Sequence, residues 1–148
     1  MCPYRKKTWV EKRDIQSVPK VKTLKADFAD MRKGERMLIP TPALVDNYIR
    51  QIPKGKSVSV LTMRRDLAAA HHADVCCPLT AGIFVRIAAE AAWEELQEGK
   101  TEASITPFWR IIGPQSPAYS KLTFGMEYLM KQRRREGLDD QPVSRRSR

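Results

Sequence analysis

The sequence predicts a mainly α fold with a minor β component, built on about one domain's worth of chain. Three observations lead there. The chain has 148 residues, 42% hydrophobic and 30% charged, enough for one respectable core and hardly for two. In its middle, apolar residues recur at helical spacing between residues that open and close helices. β-prone patterning is confined to two short stretches, Ser57–Val60 and Thr106–Ile112.

In chain order, the first clear helix opens at Thr41-Pro42, an N-cap followed by proline at the first helical position. Val45, Tyr48, Ile49 and Ile52 follow at i, i+3, i+4 and i+7, one face of that helix. Pro53-Lys54-Gly55-Lys56 ends it and turns the chain. Ser57–Val60 then reads as a small strand or an extended connection. Thr62 caps a second helix, roughly Met63 to His71, with Leu67 and Ala70 inward. Ala73–Cys77 is a short linker. Pro78 opens a third helix with a broad apolar stripe: Ile83, Phe84, Ile87, Ala88, Ala91, Ala92 and Leu96. Gly99 stops it. Thr106–Ile112 is strand-like or loop, and Gly113–Pro117 is a turn. A last helix is expected from about Tyr119 to Arg135, carrying Leu122, Met126, Leu129 and Met130. A helix, a short connection and a Pro78-led helix together make a helix-turn-helix arrangement. There is no internal repeat.

Lys and Arg number 27 against 17 Asp and Glu, a formal net charge of +10. That excludes an acidic solvating chain and points to a polyanionic partner, nucleic acid before a membrane surface. The charge is uneven. Residues 1–25 hold eight basic and two acidic side chains and residues 131–148 seven and three, whereas residues 26–130 hold twelve of each. The organisation expected is a basic N-terminal extension over residues 1–38, a folded body over 39–136 and a disordered basic tail over 137–148. No apolar run follows the basic N-terminus, so no secretory leader is expected. The longest apolar stretch, Pro78 to Trp93, is broken by Arg86 and Glu90 and is too short and too charged to span a bilayer. Three cysteines, two of them adjacent, do not make a disulfide framework, and a reducing cytosol is the expected compartment.

Several local patterns carry chemistry. Phe108-Trp109-Arg110 suits stacking on a base, with the guanidinium for phosphate or base edge; equally, two adjacent large rings suit the core. His71-His72 and Cys76-Cys77 are contiguous pairs rather than spaced ligands, so no metal site is expected. They read instead as a helix end bearing histidines and a buried cysteine pair. Cys77 sits just before Pro78, where a helix N-terminus favours a thiolate, so Cys77 with Cys76 is an alternative nucleophile. Arg64 and Arg65, with Arg50, Lys54 and Lys56, form a basic stretch, while residues 90–102 are acidic. A duplex binder would present the first to phosphates and turn the second away; ordinary solvated helix faces read the same.

Ile52-Pro53-Lys54-Gly55-Lys56, then Leu67-Ala68, a Pro-led helix and Ile105-Thr106-Pro107-Phe108-Trp109-Arg110-Ile111-Ile112 resemble a known domain. Over residues 40–113 the chain is similar to the DNA-binding domain of the alkylguanine-DNA alkyltransferases (methylated-DNA–protein-cysteine methyltransferases) and their alkyltransferase-like relatives. With its "CPLTAGIF" and "ITPFWR" stretches it resembles a bacterial branch of that family. That family has an I-P-x-G opening, a helix-turn-helix and a P-C-H-R-V active-site segment. Here Phe108 stands where the family has its alkyl-accepting Cys, and Trp109 where it has the activating His. Val60-Leu61 replace a Tyr-Gly pair whose Tyr helps swing the target nucleotide out, and Gly82 falls where an Arg fills the resulting gap.

The resemblance implies a winged-helix-like helix-turn-helix and a non-catalytic DNA-binding protein, like the alkyltransferase-like proteins that bind alkylated guanine without repairing it. Pro107, Phe108, Trp109 and Arg110 would line a pocket for an extruded base. Lys54, Lys56, Thr62, Arg64, Arg65, Thr80, Gly82 and Arg86 would meet the duplex. The expected partners are double-stranded DNA, alkylated or not, and repair proteins. No cofactor, metal or membrane is implied. A monomer is expected, in the cytoplasm and associated with the nucleoid. The alternatives are an alkyl- or thiol-transferring enzyme using Cys76 or Cys77, and a nucleic-acid- or protein-binding adaptor on the same scaffold.

Overall fold

A computed structural model describes residues 6–138. Residues 1–5 and the tail from residue 139 lie outside the described residues. The architecture is mainly helical, as the periodicity predicts, with one small sheet whose strands lie at residues 20–23, 36–39 and 75–76 rather than in the expected Ser57–Val60 and Thr106–Ile112 stretches. The elements run α1 (Trp9–Arg13), β1 (Lys20–Thr23), β2 (Arg36–Ile39), α2 (Pro42–Arg50), α3 (Val60–Ala70), β3 (Val75–Cys76), α4 (Pro78–Gln97) and α5 (Glu127–Arg135). Two 3-10 turns, Phe108–Arg110 and Pro117–Ser120, lie between α4 and α5. In the sheet, β2 is central, antiparallel to β1 and parallel to β3.

The twenty-residue α4 is the axis of the fold. Ala81, Val85, Ala88, Ala89 and Ala92 repeat along one face and are wholly buried against Leu38, Val45, Ile49, Met63 and Phe108. Small side chains there let neighbouring elements approach closely. The expected stripe on this helix needs correction, because Ile83 is turned out and Ala81, Val85 and Ala89 take the inward positions. α2 opens as expected, with the Thr41 hydroxyl accepting from the Leu44 amide and Pro42 in the first turn. The cap of α3 is Ser59, whose hydroxyl accepts from the Thr62 amide, so Thr62 lies inside the helix and Ser57–Ser59 is an extended connection. The linker after α3 includes β3 and spans residues 71–77, longer than a compact helix-turn-helix turn. The expected last helix is broken. Pro117 starts a 3-10 turn, Gly125 takes a φ of +80°, and α5 begins only at Glu127.

The boundary expected after residue 38 falls inside β2, and residues before it are built into the body. Thr8 and Glu11 form a capping box on α1. The Glu94 carboxylate then accepts from the Trp9 and Val10 amides, and Arg13 makes a buried ion pair with Glu95 at 2.7 Å. At the other end, Leu138 is buried and its amide donates to the Arg133 carbonyl, so the packed body includes the first residues assigned to the tail.

Candidate functional site

The outer face of α4's first half carries Leu79, Gly82, Ile83 and Arg86, a stripe at i, i+3, i+4 and i+7 opposite the buried alanines. Leu79 and Ile83 are 60% and 49% exposed, unusual for large apolar side chains on the principal core helix. Around this stripe α1 brings Trp9 and Lys12, α3 brings Val60, and the second 3-10 turn brings Pro117, Ala118 and, just after it, Lys121. Together they enclose a groove of about 530 Å³. Its described lining includes three cationic side chains, Lys12, Arg86 and Lys121, and no carboxylate. The Lys12 ammonium lies 4.2 Å from the centre of the Trp9 ring and the Arg86 guanidinium 5.4 Å from it. Arg86 Nε is shielded without a hydrogen-bond partner among the described residues, and the guanidinium makes an i,i+4 ion pair with the buried Glu90 carboxylate at 3.6 Å.

The structure sorts the sequence-predicted DNA contacts. Gly82 and Arg86 meet in the groove. Lys54, Lys56, Thr62 and Arg65 are exposed. Arg64 is already used: it donates in bidentate fashion to Asp30 and through Nε to the Cys76 carbonyl. Thr80 is half-buried, with its hydroxyl shielded and without a partner among the described residues. The acidic end of α4 is not a face turned to solvent. Glu90, Glu94 and Glu95 point into packed contacts, Glu90 accepting from the Thr123 amide and hydroxyl.

The four residues expected to line a base pocket are packed. Pro107, Phe108 and Trp109 are buried, and the Phe108 ring has no exposed surface. Trp109, Phe124 and Tyr128 surround that ring at centroid distances of 5.3, 5.6 and 6.2 Å. The core reading of Phe108-Trp109 therefore describes this fold, and neither the groove nor a second concavity beside Trp93 and Arg134 includes any of the four. Arg110 is a tether. It donates to the Ile52 carbonyl and to Glu136, which also accepts from Trp109 Nε1 and the Gly55 amide. Val58 closes the same junction by donating to the Arg110 carbonyl. The Ile52–Lys56 and Phe108–Arg110 motifs, about fifty residues apart in sequence, thus form one joint.

Of the two alternative nucleophiles, Cys77 is 6% exposed at the N-cap of α4, and Cys76 meets an obstacle. Cys76 is 1% exposed, and burial pushes its thiol up to about 11, with Cys77 adding to the rise and Arg64 opposing it. At pH 8 the thiolate is then about one part in a thousand, far from a nucleophile held ready at neutral pH. In the native protein Cys76 is expected to react with a disulfide reagent at least a hundredfold more slowly than after denaturation. Rapid modification of Cys76 in the folded state, read by peptide mass, would favour Cys76 as a nucleophile. His71 and His72 end α3, His71 Nδ1 lying 3.1 Å from the Leu67 carbonyl and His72 taking a φ of +55°. Among the described residues no three His, Cys, Asp or Glu side chains are grouped as metal ligands.

Sequence reasoning missed Trp9, Lys12 and Lys121. The Thr8-x-x-Glu11 capping box was a legible signal for α1, which would have placed Trp9 and Lys12 on one helical turn. Lys121 had no such signal, because only the folded 3-10 turn carries it to α4. No helix of the described residues is long and apolar enough to cross a membrane. No family model, curated protein or solved structure matches the chain.

Proposed function

We propose that this chain is a non-catalytic DNA-binding protein of the alkyltransferase-like kind, with α3 and α4 acting as a winged-helix-like helix-turn-helix. The observation that carries the reading is the groove on α4: an apolar floor with exposed Leu79 and Ile83, three cations and no described carboxylate. Apolar side chains on a helix contact base faces or thymine methyls, while Lys12, Arg86 and Lys121 neutralise phosphates. Lys54, Lys56 and Arg65 extend the basic surface. In this reading the groove, rather than the buried Phe108-Trp109 pair, receives an extruded base, with Trp9 and Ile83 as its walls. Duplex DNA carrying alkylguanine is the proposed ligand, repair proteins the partners downstream, and the cytoplasmic nucleoid the place of action.

The test is fluorescence anisotropy of a labelled duplex, with and without alkylguanine, across salt concentrations. Three neutralised phosphates predict a log–log slope of about −2.7, roughly fortyfold weaker binding at 200 mM than at 50 mM salt. Lys12→Glu with Lys121→Glu should flatten the slope. Ile83→Asp should remove any preference for the lesion while the fold stays intact. Affinity that does not fall with salt would end the proposal. Equal affinity for modified and plain duplexes in the wild type would leave general DNA binding without lesion recognition.

A further inference from the structure

We infer that the outer edge of β1 docks an extended acidic segment of a partner protein, adding a fourth strand to the sheet. This goes beyond the DNA reading and uses a different surface.

Among the described residues only one side of β1 is paired. On β2, the Arg36 and Leu38 carbonyls accept from Asp74 and Cys77, on the β3 side. β2 therefore addresses β1 through Met37 and Ile39, the register partners of Lys22 and Lys20. Leu24, next in the same alternation, also bonds toward β2, its amide donating to Glu35. The main-chain groups of Val21 and Thr23 consequently point away from the sheet. Among the described residues no strand lies beyond β1, so these groups form an open template for strand addition.

The side chains select the occupant. All four residues of β1 are exposed. Lys20 and Lys22 share one face, with Val21 between them on the other. A second copy is disfavoured, because antiparallel pairing about Val21 would set Lys20 opposite the partner's Lys22. Carboxylates at those two positions convert the same geometry into attraction. Edge lysines alone are a common protection against aggregation, but they do not account for the apolar surface of this arm. Val18, just before the strand, is 76% exposed, and Ile15 and Phe28 are 39% and 46% exposed. The matching segment is acidic–apolar–acidic, as in Glu-Val-Glu, with further apolar residues that run alongside Val18.

The test uses the full chain and a fluorescein-labelled Ser-Glu-Val-Glu-Val-Val-Ser peptide with blocked ends, beside a control with Lys for Glu. The acidic peptide should bind, and hydrogen exchange should show new protection at the Val21 and Thr23 amides. Val21→Pro should weaken binding at least tenfold yet keep the ladder to β2, since the amide it removes points outward. Lys20→Glu with Lys22→Glu should reverse the preference toward the Lys peptide, a readout that stands even where Val21→Pro fails to fold. Groove variants such as Lys121→Glu should leave peptide binding unchanged, which separates this inference from the DNA reading. Absence of binding at millimolar peptide, binding indifferent to Val21→Pro, protection of these amides by duplex DNA instead, or a dimer pairing at Val21 would each overturn it.

Discussion

Phe108→Ala is expected to cost about 3–5 kcal/mol of stability, lowering the melting temperature by about 10 °C or more. The ring is fully enclosed. Its neighbours are themselves large rings: Trp109, Tyr128 and Phe124, the last stacked on Trp93 at 4.6 Å. Such neighbours cannot collapse into the space a benzyl group leaves, so the cavity term stays near its full size. If the proposed DNA reading holds, the same variant should bind DNA as wild type does when measured well below its melting point, because Phe108 does not line the groove. A base-stacking wall would behave the opposite way, with a small loss of stability and a large loss of binding. Denaturant titration and anisotropy on the same preparation therefore distinguish the two roles. A Phe108→Ala protein that melts within about 2 °C of wild type but no longer prefers alkylguanine would return Phe108 to the lesion pocket.

Much of the helical framework was legible because local chemistry marks it. Thr41-Pro42 and Pro78 open α2 and α4 as read, and Gly99, at a φ of +102°, follows α4 as its stop. What stayed hidden depends on partners distant in sequence. Glu90, Glu94 and Glu95 look like a solvated acidic face, yet Thr123 and the residues of α1 come from 33 to 85 positions away to meet them. The rotation of the α4 stripe was equally illegible. The helix has apolar residues on both sides, and only docking of α1 and the second 3-10 turn decides that Ile83 faces the groove. For Phe108 the sequence allowed a core or a stacking role. The packing of Tyr128 and Phe124 around the ring decides for the core. Of the candidate site, Gly82 and Arg86 were named from sequence, while the residues that make a groove of them were not.

Replacing Glu136 should be as damaging as truncating Phe108, and for an electrostatic reason. Its carboxylate, with a side chain 6% exposed, accepts from Trp109 Nε1 at 2.7 Å, from Arg110 Nε and Nη2 at 3.0 Å and from the Gly55 amide at 3.0 Å. Glu136→Ala leaves the Arg110 guanidinium with only the Ile52 carbonyl as acceptor among the described residues and takes the carboxylate from two part-buried donors, with an expected loss of about 3 kcal/mol. Burial alone would raise the Glu136 carboxyl, but Arg110, the Gly55 amide and Trp109 outweigh it and hold the group below its ordinary value of 4.5. A folded-state pKa below the unfolded one adds stability above the unfolded value and loses it as pH falls through the folded one. The gap in unfolding free energy between wild type and Glu136→Gln should therefore be full near pH 7 and shrink below about pH 4.5. Glu95, lowered by Arg13 and Lys100 against the opposing effect of its burial, adds an acid-sensitive share of its own. That share is common to both proteins and cancels in the difference. A gap that stays constant from pH 7 to pH 3 would show that the Glu136 charge is not what holds the joint. Because Glu136 also pins Gly55, the Glu136 variants should loosen the Lys54–Lys56 turn and weaken DNA binding modestly. On the proposed reading, which seats lesion preference on α4, that preference should survive.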